Sequence, residues 1–87
     1  MAYAVAIKPS ADRELKRLPR RDQERLRERI AALAEDPRPH NAQAFKGFPH
    51  AYRVRVGDLR IVYEVDDSQR QVWIFLIGDR KDVYRRR

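Results

Sequence analysis

Two hydrophobic rhythms divide this chain. Ala11, Leu15 and Leu18 recur at i, i+4 and i+7, and Leu26, Ile30 and Leu33 form a second stripe at helical spacing, flanked by Ala31 and Ala34. Pro19 separates the two runs, because an interior proline removes a backbone donor and clashes with the preceding turn. The spacing predicts one helix over "PSADRELKRL", with Ser10 as N-cap and Asp12 and Glu14 in its first turn. A second helix is expected from about 20 to 35. The short link makes them an antiparallel helical hairpin. Ahead of them "YAVAIK", residues 3–8, reads as a first strand.

From residue 51 the rhythm becomes alternation. In "AYRVRVGDLRIVYEV" the positions Val54, Val56, Leu59, Ile61, Tyr63 and Val65 follow a period of two, which predicts a half-buried β-hairpin. Gly57-Asp58 is its two-residue turn, since glycine accepts the positive φ such turns need. That turn sets Val56 opposite Leu59, Arg55 opposite Arg60, Val54 opposite Ile61 and Arg53 opposite Val62. Tyr52, Val54, Val56, Leu59, Ile61 and Tyr63 then share the core face. Arg53, Arg55 and Arg60 share the other with Val62 and Glu64.

The remaining segments complete the pattern. "EDPRPHNAQAFKGFPH" is a loop with a short edge strand near Gln43 to Lys46, and Phe45 and Phe48 are expected to anchor it on the core rather than to stack on bases. "DDSQR" is a polar turn. "QVWIFLI" is apolar on both faces, as in a central strand with helices covering one side. "GDRKDVYRRR" is a short basic tail. The order β-α-α-β-β-β over residues 1–87 predicts one α+β domain: a mainly antiparallel sheet with both helices on one face and the arginines on the other.

Charge sharpens this picture. The chain of 87 residues carries 20 Lys and Arg against 13 Asp and Glu, a net +7. That balance suits nucleic acid, an anionic membrane surface or an acidic protein. Arg55 directly opposite Arg60 costs roughly a few tenths to 1 kcal/mol in a strand pair. Either solvent screens the repulsion, or an anion is the missing counter-ion, and the guanidinium fork suits phosphate. With no cysteine there is neither a disulfide nor a thiolate site. The N-terminus lacks the pattern of a signal peptide and "VWIFLI" is too short to span a bilayer, so a cytoplasmic location is the expectation.

Familiar catalytic signatures are absent: no GxxxxGK[ST], no GxGxxG, no HExxH. His40 and His50 lie ten residues apart in the proline-bearing loop and are read as solvent-exposed rather than as metal ligands. Asp66-Asp67 belong to a turn whose backbone hydrogen bonds explain them. What is left is basic: Arg53, Arg55 and Arg60, with Arg80, Lys81 and Tyr84 after the last strand. Such groups can stabilise a phosphorane-like transition state. Arginine is a poor proton-transfer group, which leaves Tyr84 as the plausible side-chain proton handler.

"YAVAIKPSADRELKRLP", "FKGFPHAYRVRVGDLRIVYEV" and "VWIFLIGDRKDVYRR" resemble, in order, the opening strand and helix, the middle and the C-terminal motif of RelE-type toxins of the RelE/ParE superfamily. The resemblance spans nearly the whole chain. It implies a small RelE-like fold and a ribosome-dependent endoribonuclease, an mRNA interferase of a type II toxin–antitoxin system. Such a toxin cuts mRNA in the ribosomal A site by attack of the 2′-hydroxyl, without a metal or other cofactor. It further implies Arg60, Arg80 and Tyr84 as catalytic residues, and Arg53, Arg55, Lys46 and Lys81 as RNA-binding ones. A cognate acidic antitoxin is the implied partner, in a toxin–antitoxin hetero-oligomer, with the ribosome and mRNA as targets. The family's well-known active members have lysines where Arg53 and Arg55 stand, which preserves charge but not proton transfer. Two alternatives are a ParE-like gyrase-inhibiting toxin and a catalytically inactive relative that only binds antitoxin or nucleic acid.

Overall fold

The computed structural model describes residues 2–79, so Arg80, Lys81 and Tyr84 lie outside the described residues. The elements run β1 (Ala4–Ile7), α1 (Pro9–Arg17), α2 (Arg20–Glu35), β2 (Gln43–Ala44), β3 (Ala51–Val56), β4 (Leu59–Asp66) and β5 (Gln71–Asp79). The strands make one sheet in the order β1-β5-β4-β3-β2. Only the β1–β5 pairing is parallel; the other three are antiparallel.

The helices form where the apolar stripes predict. Ala11 and Leu15 of α1 and Leu26, Ile30 and Leu33 of α2 are buried in one cluster with Val54, Val56, Leu59, Ile61, Tyr63, Val65, Val72, Ile74 and Ile77. Ser10 is not the N-cap. The cap lies two residues earlier because Pro9, with φ already near the helical value, occupies the first turn, and Lys8 stands at the cap without a side-chain bond. At the other end of α1, Gln23 reaches back from α2 and donates its Nε2 to Leu18 O (2.9 Å) and Lys16 O (3.3 Å), meeting carbonyls that the helix end leaves open.

β3 and β4 pair in the register set by the hydrophobic alternation, with Val56 opposite Leu59, Arg55 opposite Arg60, Val54 opposite Ile61 and Arg53 opposite Val62. Gly57 opens the turn at φ +63, the conformation that glycine adopts without strain. Tyr63 is fully buried beneath the loop that follows α2, where its hydroxyl donates to Pro37 O at 2.8 Å. Burial pushes that phenol up from its ordinary value, so it stays neutral and holds the loop.

β5 is interior, between β1 and β4, but its faces do not simply alternate. Leu76 pairs with Val62 while Ile74 pairs with Tyr63, so Phe75 is the extra residue of a β-bulge. The bulge switches the phase of the strand. Val72, Ile74 and Ile77 all reach the helix-covered core, and Trp73 and Leu76 go to the opposite face with Glu64 and Val62.

Beyond the core, an exposed brace joins three distant segments. Arg38 donates Nη2 to Asp67 Oδ2 at 2.7 Å and Nη1 to Asp67 Oδ1 at 3.2 Å, gives Nε to the Tyr52 hydroxyl at 2.9 Å, and lies over that ring at 5.3 Å. Tyr3 adds a bond from its hydroxyl to Asp67 Oδ1 at 2.7 Å. The Arg38 guanidinium and Tyr3 hydroxyl together hold the Asp67 carboxyl below its ordinary value. Asp66 is different: its Oδ1 accepts from Ser68 N, Ser68 Oγ and Gln69 N, closing the turn locally, so the expectation of turn bonding for Asp66-Asp67 holds for Asp66 and not for Asp67.

Candidate nucleic-acid interface

Among the described residues, both helices pack on one face of the sheet, and Arg53, Arg55 and Arg60 stand on the other. Their environments differ. Arg55 is exposed, and Arg53 is half-buried, donating Nε (3.3 Å) and Nη2 (3.0 Å) to Gln43 Oε1 of the edge strand β2. Arg60 is only 5% exposed and is the one charged residue among the buried side chains of the described residues. It owes that burial to its strand: β4 is the middle of the sheet, and Arg60 sits in register between Arg55 on β3 and Gly78 on β5.

A buried guanidinium is held in position more firmly than an exposed one. Desolvation also strengthens its attraction for an anion, because fewer waters screen the charge. The ladder therefore presents one fixed cation, Arg60, and two more accessible ones, Arg55 and Arg53, on a continuous strip. Chemically this can grip a phosphodiester and favour the extra negative charge of a pentavalent phosphorus. Glu64, on the same face, is displaced four residues along β4 from Arg60, roughly 13 Å at the usual strand rise.

Lys46 is not brought to this strip. It is exposed in the turn after β2, beyond Ala51 and so at the opposite end of β3 from Arg55. His40 and His50 are both exposed, His50 at φ 65. Phe45 and Phe48 do not anchor the loop on the helix-covered core. They stack on each other with ring centroids 5.4 Å apart, and Phe48 leans on Phe75 at 6.5 Å and stays 52% exposed. Phe45 N bonds to Ala51 O, which carries this hairpin on past β2 and delivers both rings to the face opposite the helices.

One cation escapes a reading of the strands alone. A side chain at Gly57 would meet the Arg25 guanidinium at 3.0 Å, so Arg25 reaches from α2 to the tip of the hairpin whose strands carry Arg55 and Arg60. Within its own helix Arg25 looks like any solvated arginine, and only the packing of α2 across the turn distinguishes it. Its nearest carboxylate, Asp22, is 4.0 Å away. No helix among the described residues is long and apolar enough to cross a membrane.

Comparison with known proteins places this geometry in context. The family model described as the ParE toxin of type II toxin–antitoxin systems, parDE, matches residues 5–84. The mRNA interferase toxin RelE of Escherichia coli K12 is 28% identical over 88 residues, covering 97% of this chain and 92% of RelE. The solved structure of a double arginine-to-alanine mutant of E. coli RelE in the free state superposes with a TM-score of 0.81 at 27% identity, covering 98% of this chain and 93% of that one. The toxin in the intact E. coli RelBE toxin–antitoxin complex gives 0.80 at 25% identity, over 90% of this chain and 96% of its counterpart.

Proposed function

The chain belongs to the ParE toxin family of type II toxin–antitoxin systems, within the RelE/ParE superfamily, and on that premise we propose that it is an mRNA interferase, an endoribonuclease that cuts mRNA in the ribosomal A site. The observation that carries this reading is Arg60: a buried guanidinium in the middle strand, on the face that the helices leave uncovered. A desolvated charge on that face is weak evidence of a role in stability, and a phosphodiester is an anion that the guanidinium fork suits.

In the proposed reaction the 2′-hydroxyl oxygen attacks the adjacent phosphorus and the bond to the 5′-oxygen breaks. The products are a 2′,3′-cyclic phosphate and a 5′-hydroxyl end. Arg60 stabilises the charge that builds on the non-bridging oxygens, while Arg53 and Arg55 hold neighbouring phosphates and align the strand. Arg80 is assigned to the same charge or to the leaving oxygen, and Tyr84 to orienting or deprotonating the 2′-hydroxyl. Both assignments rest on the C-terminal motif "GDRKDVYRR" of the sequence. Lys46 would add a phosphate contact outside the central strip, and Lys81 is assigned to RNA binding as well. The reaction is written without a metal, its positive charge supplied by arginine.

The proposed partner is an acidic antitoxin, in line with the RelBE toxin–antitoxin complex among the structural relatives and with the net charge of +7. Complementary charge would speed that association more than it would tighten it. The family description names ParE, which supports as a second reading a ParE-like toxin that inhibits DNA gyrase. One experiment separates the two. Purified protein is incubated with mRNA-programmed ribosomes and with naked mRNA, beside Arg60→Ala and Arg80→Ala variants. Cuts confined to the A-site codon and lost in both variants are the expected result. Intact mRNA together with blocked gyrase supercoiling would overturn it in favour of the second reading.

A further inference from the structure

The face that carries the arginines has a second half. Trp73 is 45% exposed and Phe48 52%, the two large apolar side chains left open among the described residues. They meet at one place, a cleft of about 380 Å³ lined by Lys8, Phe48, Glu64, Trp73 and Phe75. The bulge at Phe75 builds this cleft: it turns Trp73 to the uncovered face, and Phe75 there touches Phe48. Trp73 pairs with Glu64, so the cleft is about four residues along β4 from Arg60, on the same face.

We propose that this cleft is a base-stacking subsite, taking one unstacked base of the same RNA strand whose phosphate Arg60 holds. The proposal rests on the nuclease reading and deepens it. Aromatic rings accept any base through its π-face, and a single strand whose bases have been splayed is what such platforms bind. The separation from Arg60 is one that a few extended nucleotides cover. Charge fixes which part of the nucleotide enters. The exposed Glu64 carboxylate repels a phosphate but accepts hydrogen bonds from an exocyclic amino group, as acidic side chains do from cytosine N4. Lys8, exposed at the rim, is placed for the phosphate alongside. The same Glu64 works against an acidic peptide, so the occupant is the RNA base rather than the antitoxin.

The test is cleavage on programmed ribosomes by the full-length protein and its Trp73→Ala and Trp73→Phe variants. Each is given intact mRNA and mRNAs with a single abasic nucleotide, placed in turn across the A-site codon and just downstream. Circular dichroism and antitoxin binding check the fold. Trp73→Ala should lower kcat/KM about tenfold and Trp73→Phe should largely restore it. At one abasic position the wild-type protein should fall to the level of Trp73→Ala, with no further loss in the variant. Equal cleavage of intact mRNA by wild type and Trp73→Ala would overturn the subsite alone, and so would a loss indifferent to every missing base. Trp73→Ala that cuts normally but no longer binds antitoxin would assign the cleft to the protein partner. If the wild-type protein leaves the mRNA whole, the nuclease reading fails first and the subsite with it.

Discussion

The two faces of the β3–β4 hairpin come from the same strands and obey different rules. On one side Val54, Val56, Leu59, Ile61 and Tyr63 fit against two helices, and each is accounted for by the apolar area it removes from water. On the other, Arg55 faces Arg60 across the ladder, an arrangement that packing alone disfavours. Where a small domain tolerates a local conflict on one face only, that face is the place to look for function. The comparison also separates stability from activity, and substitutions on each face can break it.

The largest effect is expected from the covered face. Ile61→Ala removes a fully buried side chain and should cost about 2–5 kcal/mol in a urea unfolding titration. For a domain of this size that is a large part of the total, and the comparison would fail if the loss were well under 1 kcal/mol. Next comes Arg60→Met on the uncovered face. Cleavage on programmed ribosomes should drop about a hundredfold, as when one transition-state donor is removed. Stability should move by about 1 kcal/mol or less in either direction, since an apolar chain replaces a desolvated charge. A variant that unfolds would show that Arg60 belongs to the packing after all.

At the turn that joins the faces, Gly57→Ala must adopt φ +63 and crowd the Arg25 guanidinium. A loss of roughly 1–2 kcal/mol is expected from the backbone conformation, read as a lower urea midpoint. The smallest effect lies far from both faces. Asp67 has its pKa lowered in the folded protein by Arg38 and Tyr3, so its contribution is present above the ordinary carboxyl value of 3.8 and is lost as pH falls below it. The difference in urea midpoint between wild type and Asp67→Asn should therefore be steady near neutral pH and shrink in acid. A difference that grows on acidification would mean that the brace is not what Asp67 supplies.

Much of this was legible before any coordinates. The hairpin register followed from alternation and the Gly57-Asp58 turn, and α2 from its stripe and the prolines on either side, because these signals are local. The contrast between Arg60 and Arg55 was not legible. Both stand between two aliphatic residues, and only the place of β4 in the middle of the sheet buries one and leaves the other in water. Trp73 was hidden for a related reason. In "QVWIFLI" every residue is apolar after the first, so no periodicity marks the bulge at Phe75, and the bulge decides which side chains stay open. Phe48, expected to anchor the loop on the core, is exposed because Phe45 and Ala51 carry the hairpin to the other face. Arg80, Lys81 and Tyr84 rest on the C-terminal motif alone.

The pairing of β1 with β5 bears on how the molecule comes into being. Ala4 lies beside Gln71 and Ile7 beside Ile74, so the first strand made must wait for the last before its hydrogen bonds can form. Contacts of such high sequence separation form late, because the loop between them must be closed first. A nascent chain can make its helices and the β3–β4 hairpin early, but not a finished sheet. The arginine strip therefore gains its β5 neighbour, Gly78 beside Arg60, only once residues 71–79 have joined the sheet.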